Sequence, residues 1–519
     1  MNRSGRRDAS SRQRGRIERA ISGCPERFVR PLTLFLVASF ALFLFGLVMI
    51  YSASSIMALT SKNFNNDTTF FVSRQLKYAA IGLVILVFLA KVDYHIWGVK
   101  LLPVFWVITL VLLLIVKFTS SGSDSYGATR WISIAGFRFQ PSEFAKIVIV
   151  LTGANLAHAY FEDDSIPFKK FVWLSVVGIG LPLLLILIQP DKGTTMICAA
   201  TLLVMVYLSG VPGKPLVMLA GVGVVFFFAY SMKDAYSRQR ILTVLNPWSD
   251  PLVTGYQIIQ GFYAFAAGGI FGVGIGASRQ KYSYLPFAHN DFIFAVVGEE
   301  CGLVGTLGVV AGFAVIFWAG MRISRNAPDL AGRLIAAGSV SMMVIQLFVN
   351  ICGVLAIMPM TGKPVPFLSY GGSSIISTLM TVGVVTSVAL HSRLEETESD
   401  RRREDFSLAS RGRAPRSYED SGMVGEAVPR SVRPLGTPLT QSTPLTSSSA
   451  RPRFQVYEGG SGNPVAQPRA NHTDLQNRGR ISEDAYGRRR IDLGPDAAER
   501  LRPKRNNSAR QRRSDRRGR

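Results

Sequence analysis

Between Pro31 and His391 the chain repeats one feature, an apolar run of about 15 to 22 residues followed by a short polar stretch. A run of about 20 apolar residues matches the hydrocarbon thickness of a bilayer. One such run could be a buried core helix, but a whole series could not. In lipid the backbone must satisfy its own hydrogen bonds, so the runs are expected to be helices. The spans fall at 31–51, 75–90, 100–117, 141–157, 170–188, 194–209, 214–231, 292–321, 333–357 and 371–391. This is an all-α polytopic membrane protein with about ten transmembrane helices. The N-terminus imitates a signal peptide, Arg-rich and then apolar, but the stretch Pro31 to Tyr51 is longer than a usual signal core and reads as an uncleaved first span.

Charge sets the topology. The formal net charge is +24 and lies mostly at the ends. Residues 1–30 carry nine Arg against three acids, and residues 393–519 carry 27 Lys+Arg against 17 Asp+Glu. Basic stretches beside membrane spans mark the cytoplasmic face and contact anionic lipid, so both tails are placed in the cytoplasm and no nucleic-acid partner is expected. An even number of spans follows. The division is a basic tail at 1–30, a membrane domain at 31–392, and a tail at 393–519 that lacks apolar runs and is expected to be disordered.

Tyr256–Ala277 would break this parity if it crossed the bilayer. It is loaded with glycine, at 261, 268, 269, 272, 274 and 276. Glycine costs about 1 kcal/mol per position in a helix interior. The segment is therefore assigned to a large outer loop, 232–291, between spans seven and eight. The four cysteines form no CxxC pair and the five histidines have no metal-ligand spacing, so no disulfide framework or zinc site is implied. The outer loops hold an unusual number of cations: Arg130, Arg138, Lys192, Arg238, Arg240, Arg279, Lys281 and Lys363. They either snorkel to headgroups or form a basin for an anionic substrate.

Four motifs lie on that outer side. In the first, Gly127-Ala128-Thr129-Arg130-Trp131-Ile132 precedes Arg138-Phe139-Gln140-Pro141-Ser142-Glu143-Phe144-Ala145-Lys146. Pro141 suits a first helical turn, and Glu143 and Lys146 share a face and can pair. Charges inside a span are costly and tend to be functional. The second, Gln189-Pro190-Asp191-Lys192-Gly193-Thr194, reads as a turn. The third runs from Ser278 through Lys281 and Leu285-Pro286-Phe287-Ala288-His289-Asn290-Asp291-Phe292 to Gly298-Glu299-Glu300. Asp291 stands where an N-cap belongs, and the same carboxylate could take a proton from a sugar hydroxyl. The fourth, Met358 to Ser374 after Asn350, holds three prolines, Lys363, a Gly371-Gly372 pair and Ser373. Shaped backbone of this kind at membrane depth lies in protein or around a wet cavity.

Together, over about 31–392, these segments resemble the SEDS family of bacterial cell-wall glycosyltransferases, through PxTGxPxPFxSYGGSS and LPxAHxDFIFAxxGEExG. Ser278-Arg279-Gln280-Lys281-Tyr282-Ser283-Tyr284-Leu285-Pro286 is more similar to the division-type branch than to the elongation-type branch. The resemblance implies ten spans in a bacterial inner membrane, at the division septum. It implies a peptidoglycan glycosyltransferase that polymerises lipid II onto undecaprenyl-pyrophosphate-linked glycan by inverting transfer. The implied general base is Asp291. The implied substrate contacts are Arg138, Glu143 and Lys146, with Arg130, Lys281, His289, Lys363 and Ser373 added from the motifs around them. The leaving pyrophosphate needs cationic stabilisation from Arg or Lys or from a divalent cation, Mg or Mn. The implied partners are a class B penicillin-binding protein transpeptidase and other division proteins. Three positions depart from the family's habit: Phe287 where Glu is common, Asn290 for Thr, and Lys192 for Leu. An elongation-type polymerase, a lipid II flippase and a non-catalytic scaffold are the competing readings.

Overall fold

The computed structural model describes residues 26–392 apart from 61–63, 65, 119–129, 135–136 and 283, together with 480–483 and 489–492. The helices, in chain order, are α1 (Glu26–Thr60), α2 (Phe70–Lys91), α3 (Leu102–Phe118), α4 (Pro141–Phe161), α5 (Phe168–Ile188, with a π-helical turn at Val176–Gly180), α6 (Lys192–Leu208), α7 (Gly213–Lys233), α8 (Ala235–Leu245), α9 (Tyr256–Gly268), α10 (Ile293–Asn326), α11 (Leu330–Val354) and α12 (Gly372–His391). Eight of these are long and apolar enough to cross a membrane, and two shorter apolar helices, α3 and α6, complete the expected ten among the described residues.

Burial orders the bundle. Within their spans 89% of α12 and 78% of α11 are enclosed, against 6% of α7. The first pair therefore forms the centre, while α7 presents Val217, Met218, Val224 and Phe226 outward, as a lipid-facing helix does. α1 is an integral part of the bundle: Phe28, Phe35, Met49 and Ile50 are fully buried, and α1 packs along α10. α12 packs along α2, and α11 lies against α4 and α6.

The segment 232–291 is not bare loop. It carries α8 and α9. The 13 residues of α9 reach only about 20 Å at about 1.5 Å per residue, short of about 30 Å of hydrocarbon. A short ribbon, β1 (Ile132–Ile134) with β2 (Phe137–Phe139), precedes α4, with Ser133 opposite Arg138. Most of 393–519, expected to be irregular, lies outside the described residues. Within it β3 (Arg480–Glu483) pairs antiparallel with β4 (Arg489–Asp492), a local departure from a wholly irregular tail.

The span expected at 292–321 is a broken helix. Gly302 sits at φ 66°, and the helix axis changes there. The glycine-rich stretch after α9 repairs the break: Val273 N and Gly274 N donate to Glu299 O and Glu300 O, while Leu303 N and Val304 N donate to Gly269 O and Ile270 O. Four backbone groups that the kink frees are thus paired by an adjacent glycine-rich turn segment, as membrane depth requires. This contact explains the glycines. A Cβ on Gly272 would lie 2.2 Å from Glu300 O, and one on Gly302 would lie 2.4 Å from Gly272 N. Gly274 also has positive φ, but its Cβ would meet only Ala277 Cβ, at 4.0 Å. Gly274→Ala should therefore cost only the left-handed backbone penalty, about 1–2 kcal/mol, and Gly272→Ala distinctly more. Thermal unfolding of the two variants in detergent checks this; equal destabilisation would contradict the account of the kink.

Candidate functional site

The sequence motifs meet at one end of the bundle, and the group that joins the first, second and fourth of them is Asp191. It is the N-cap of α6, accepting from Thr194 N, and is 1% exposed. Its Oδ2 receives Gln140 Nε2 at 2.9 Å, Ser142 Oγ at 2.8 Å, Thr194 Oγ1 at 2.9 Å and Lys363 Nζ at 2.9 Å. Burial alone would raise this carboxyl's pKa; Lys363, then Arg130 and the hydrogen bonds, hold it well below the usual range. Arg130 itself donates to Gln189 O and Pro190 O, which secures the turn before Asp191. The segment read from sequence as a turn is thus a buried ionic hub.

The loop between α11 and α12 is fixed from several sides. Gln346 Nε2 donates to Pro364 O, Asn350 Nδ2 to Lys363 O, Gln75 Nε2 to Ser369 O, and Tyr370 N to His289 O. Ser373 Oγ accepts from Gln140 N at 3.2 Å and is buried, so it ties α12 to the start of α4. Glu143 and Lys146 pair at 2.8 Å with both side chains 2% exposed, and Lys146 also donates to Gln346 Oε1. The pairing expected from their spacing is present. It also neutralises Lys146, which therefore contributes no unpaired cation to a basin.

Asp291 lies just before α10 but does not cap it. The N-cap is Phe292, and no side chain accepts there. The carboxylate lines a small open pocket with Val349, Asn350, Val354, Thr361 and Gly362. Burial raises its pKa, while the charges of Arg240 and Lys363 act to lower it; the balance is a raised value. A carboxylate so placed holds a proton more readily than an ordinary aspartate.

Two expected neighbours are elsewhere. Lys281 is 6% exposed and binds Gly276 O at 2.5 Å, Ser52 Oγ at 3.2 Å and Glu300 Oε1 at 3.5 Å. It belongs with Glu299 and Glu300, whose carboxylates hold the 278–280 backbone. His289 is buried between Phe71, at 4.6 Å between ring centroids, and Tyr370; burial lowers its pKa to about 4, so its ring is neutral. Arg138, on β2, is exposed. Arg240, noted in sequence only as one of the outer cations, anchors to Met360 O at 2.6 Å beside Asp291. Asn350 and Thr361, both in the fourth motif but not among the expected substrate contacts, also line the site. Their sequence signal was a polar pair flanking the apolar end of α11.

Among the described residues no three His, Cys, Asp or Glu side chains converge to hold a metal. One carboxylate with neutral oxygens suits Mg or Mn only if substrate phosphates supply further ligands.

Removing Lys363 alone strands the Asp191 charge in a buried site, which costs about 3–5 kcal/mol. Lys363→Met should unfold markedly earlier than the parent, and Asp191→Asn added to it should restore part of the loss. Chemical unfolding in detergent measures both, and a neutral Lys363→Met would contradict the hub.

A family profile described as Cell cycle protein, covering FtsW, RodA and SpoVE, matches residues 32–394. The stage V sporulation protein E of Bacillus subtilis is 40% identical over 367 residues, 70% of this chain and 98% of its own. The probable peptidoglycan glycosyltransferase FtsW of Geobacter metallireducens is 38% identical over 358 residues, 68% of this chain and 93% of its own. Among solved structures, a chain from a study of polymerization and crosslinking by a peptidoglycan synthase complex matches with TM-score 0.52 and 28% identity, over 68% of this chain and 98% of that one. A variant of the Thermus thermophilus rod shape determining protein RodA shares the fold at TM-score 0.51 and 24% identity, over 70% of this chain and 98% of its own. With the profile spanning the whole membrane bundle and the Asp291 loop inside it, the chain belongs to the FtsW/RodA/SpoVE cell cycle protein family.

Proposed function

We propose that this protein is a peptidoglycan glycosyltransferase that polymerises lipid II, with Asp291 as general base. The observation that carries the reading is a half-buried carboxylate that caps no helix and faces a pocket at the outer end of the bundle. The names of the relatives support the reaction class.

The donor is a glycan linked through its α-anomeric carbon to a lipid pyrophosphate. The acceptor is the 4-hydroxyl of the incoming lipid II sugar. The hydroxyl oxygen bonds to the anomeric carbon as the bond to pyrophosphate breaks, and that electron pair leaves on the pyrophosphate. One displacement inverts the centre and gives the β-linked product. The hydroxyl proton passes to an Asp291 oxygen, which burial has made more basic than an ordinary carboxylate. Arg240, beside Asp291, and exposed Arg138 are the cations placed to meet the pyrophosphate. Lys146 and Lys281 act by shaping the fold, because Glu143 and Glu300 already pair them. A divalent cation, Mg or Mn, held by the substrate's own phosphates would supply further neutralisation of the leaving group.

The division-type role is favoured by the FtsW names among the relatives and by the third motif. It places the protein at the septum with both tails cytoplasmic, the basic ones against anionic lipid. A class B penicillin-binding protein is the proposed partner, supported by the likeness to a chain of a complex that couples polymerization to crosslinking.

Purified protein given lipid II in detergent should make glycan. Asp291→Asn should fold, still bind lipid II, and lose about 10²–10⁴-fold in rate. A flippase would make no glycan, and wild-type polymerisation by Asp291→Asn would remove it as the base.

A further inference from the structure

Asn350 is 5% exposed, and its Nδ2 donates to two main-chain carbonyls, Asp291 O and Lys363 O, both at 2.8 Å. Carbonyls only accept, so the amide's orientation is dictated by its surroundings: nitrogen toward the main chain, Oδ1 away from it. Oδ1 then finds no donor within the protein, and neither does the buried Oγ1 of Thr361. Both residues line the cavity that holds Asp291. Buried acceptors are normally matched by donors. Two unmatched acceptors beside a proton-accepting carboxylate form a surface complementary to a cluster of hydroxyl donors.

The backbone reinforces this. Gly362 has φ +64°, and a Cβ there would lie 3.3 Å from Asp291 Oδ2. Main chain rather than a side chain therefore faces the carboxylate, and that edge of the cavity is left to a ligand.

We propose that Asn350 Oδ1 and Thr361 Oγ1 accept hydrogen bonds from the two hydroxyls flanking the attacking one on the acceptor sugar, its 3- and 6-hydroxyls. This rests on the polymerase reading above and makes these two residues specificity determinants for a sugar with free neighbouring hydroxyls. A divalent cation could draw on the same oxygens, but Arg240 and Lys363 already bring positive charge to this carboxylate. Neutral acceptors suit hydroxyls better.

Thr361→Val is the informative variant, because Val keeps the shape and the Thr hydroxyl has no protein partner to lose. Its thermal stability in detergent should hold or rise, while polymerisation of lipid II falls about fivefold, the worth of one hydrogen bond. Wild-type protein given a 3-deoxy or 6-deoxy acceptor should lose a similar factor, and on one of the two Thr361→Val should cost nothing further. Lipid II binding measured in an Asp291→Asn background should weaken by the same factor, a readout that does not depend on turnover or on the base assignment. Equal losses on native and deoxy acceptors, an unchanged rate and affinity in Thr361→Val, or recovery at raised Mg or Mn would each overturn the proposal.

Discussion

The buried carboxylate of Asp191 is the interaction on which the motif-bearing end of this bundle depends. A lone charge in such a position would be prohibitive, so its neighbours have to supply donors. They come from three separate elements: Gln140 and Ser142 at the start of α4, Thr194 in α6, and Lys363 in the loop before α12. The arrangement fixes that loop in the plane of the helix ends. Asn350 then bridges the same loop to the Asp291 backbone. The two carboxylates differ in setting: Asp191 is fully engaged and held ionised, whereas Asp291 is half-buried, caps no helix and has its pKa raised.

The same economy governs the cations. The sequence places many Lys and Arg residues at the outer end, and a broad basin is the natural reading. The structure distributes them differently. Lys146, Lys281 and Lys363 each meet a carboxylate, from Glu143, Glu300 and Asp191. Arg130 serves the turn carbonyls. Arg138 is exposed on β2, and Arg240 lies beside Asp291 with an anchor on Met360 O.

The ten spans were legible because hydrocarbon thickness imposes run length directly on sequence. The Glu143–Lys146 pair was legible because helical spacing alone brings the two together. What could not be read depended on contacts between distant segments. The break at Gly302 is stable because residues 269–274, which precede α10 beyond an intervening loop, pair its freed backbone. Lys281 looked like a neighbour of Asp291 by proximity in sequence, but its partners, Ser52 and Glu300, come from α1 and from deeper in α10. Asp191 looked like a turn residue because its local pattern is a good turn; its burial arises from loops that the local pattern does not contain. Asp291 looked like a helix cap because it stands before the apolar run, yet the helix begins one residue too late for it to serve.

The pH dependence of lipid II polymerisation tests the central claim most directly. The base must be unprotonated, so the rate should fall as pH drops through the Asp291 pKa, which burial has lifted above the ordinary carboxylate range. Burial lowers the His289 pKa to about 4, so its ring is neutral above that range. The account predicts an acid limb displaced upward in the wild-type protein and absent from the residual activity of Asp291→Asn. A wild-type rate that stays flat down into the ordinary carboxylate range, or an unchanged acid limb in Asp291→Asn, would contradict it.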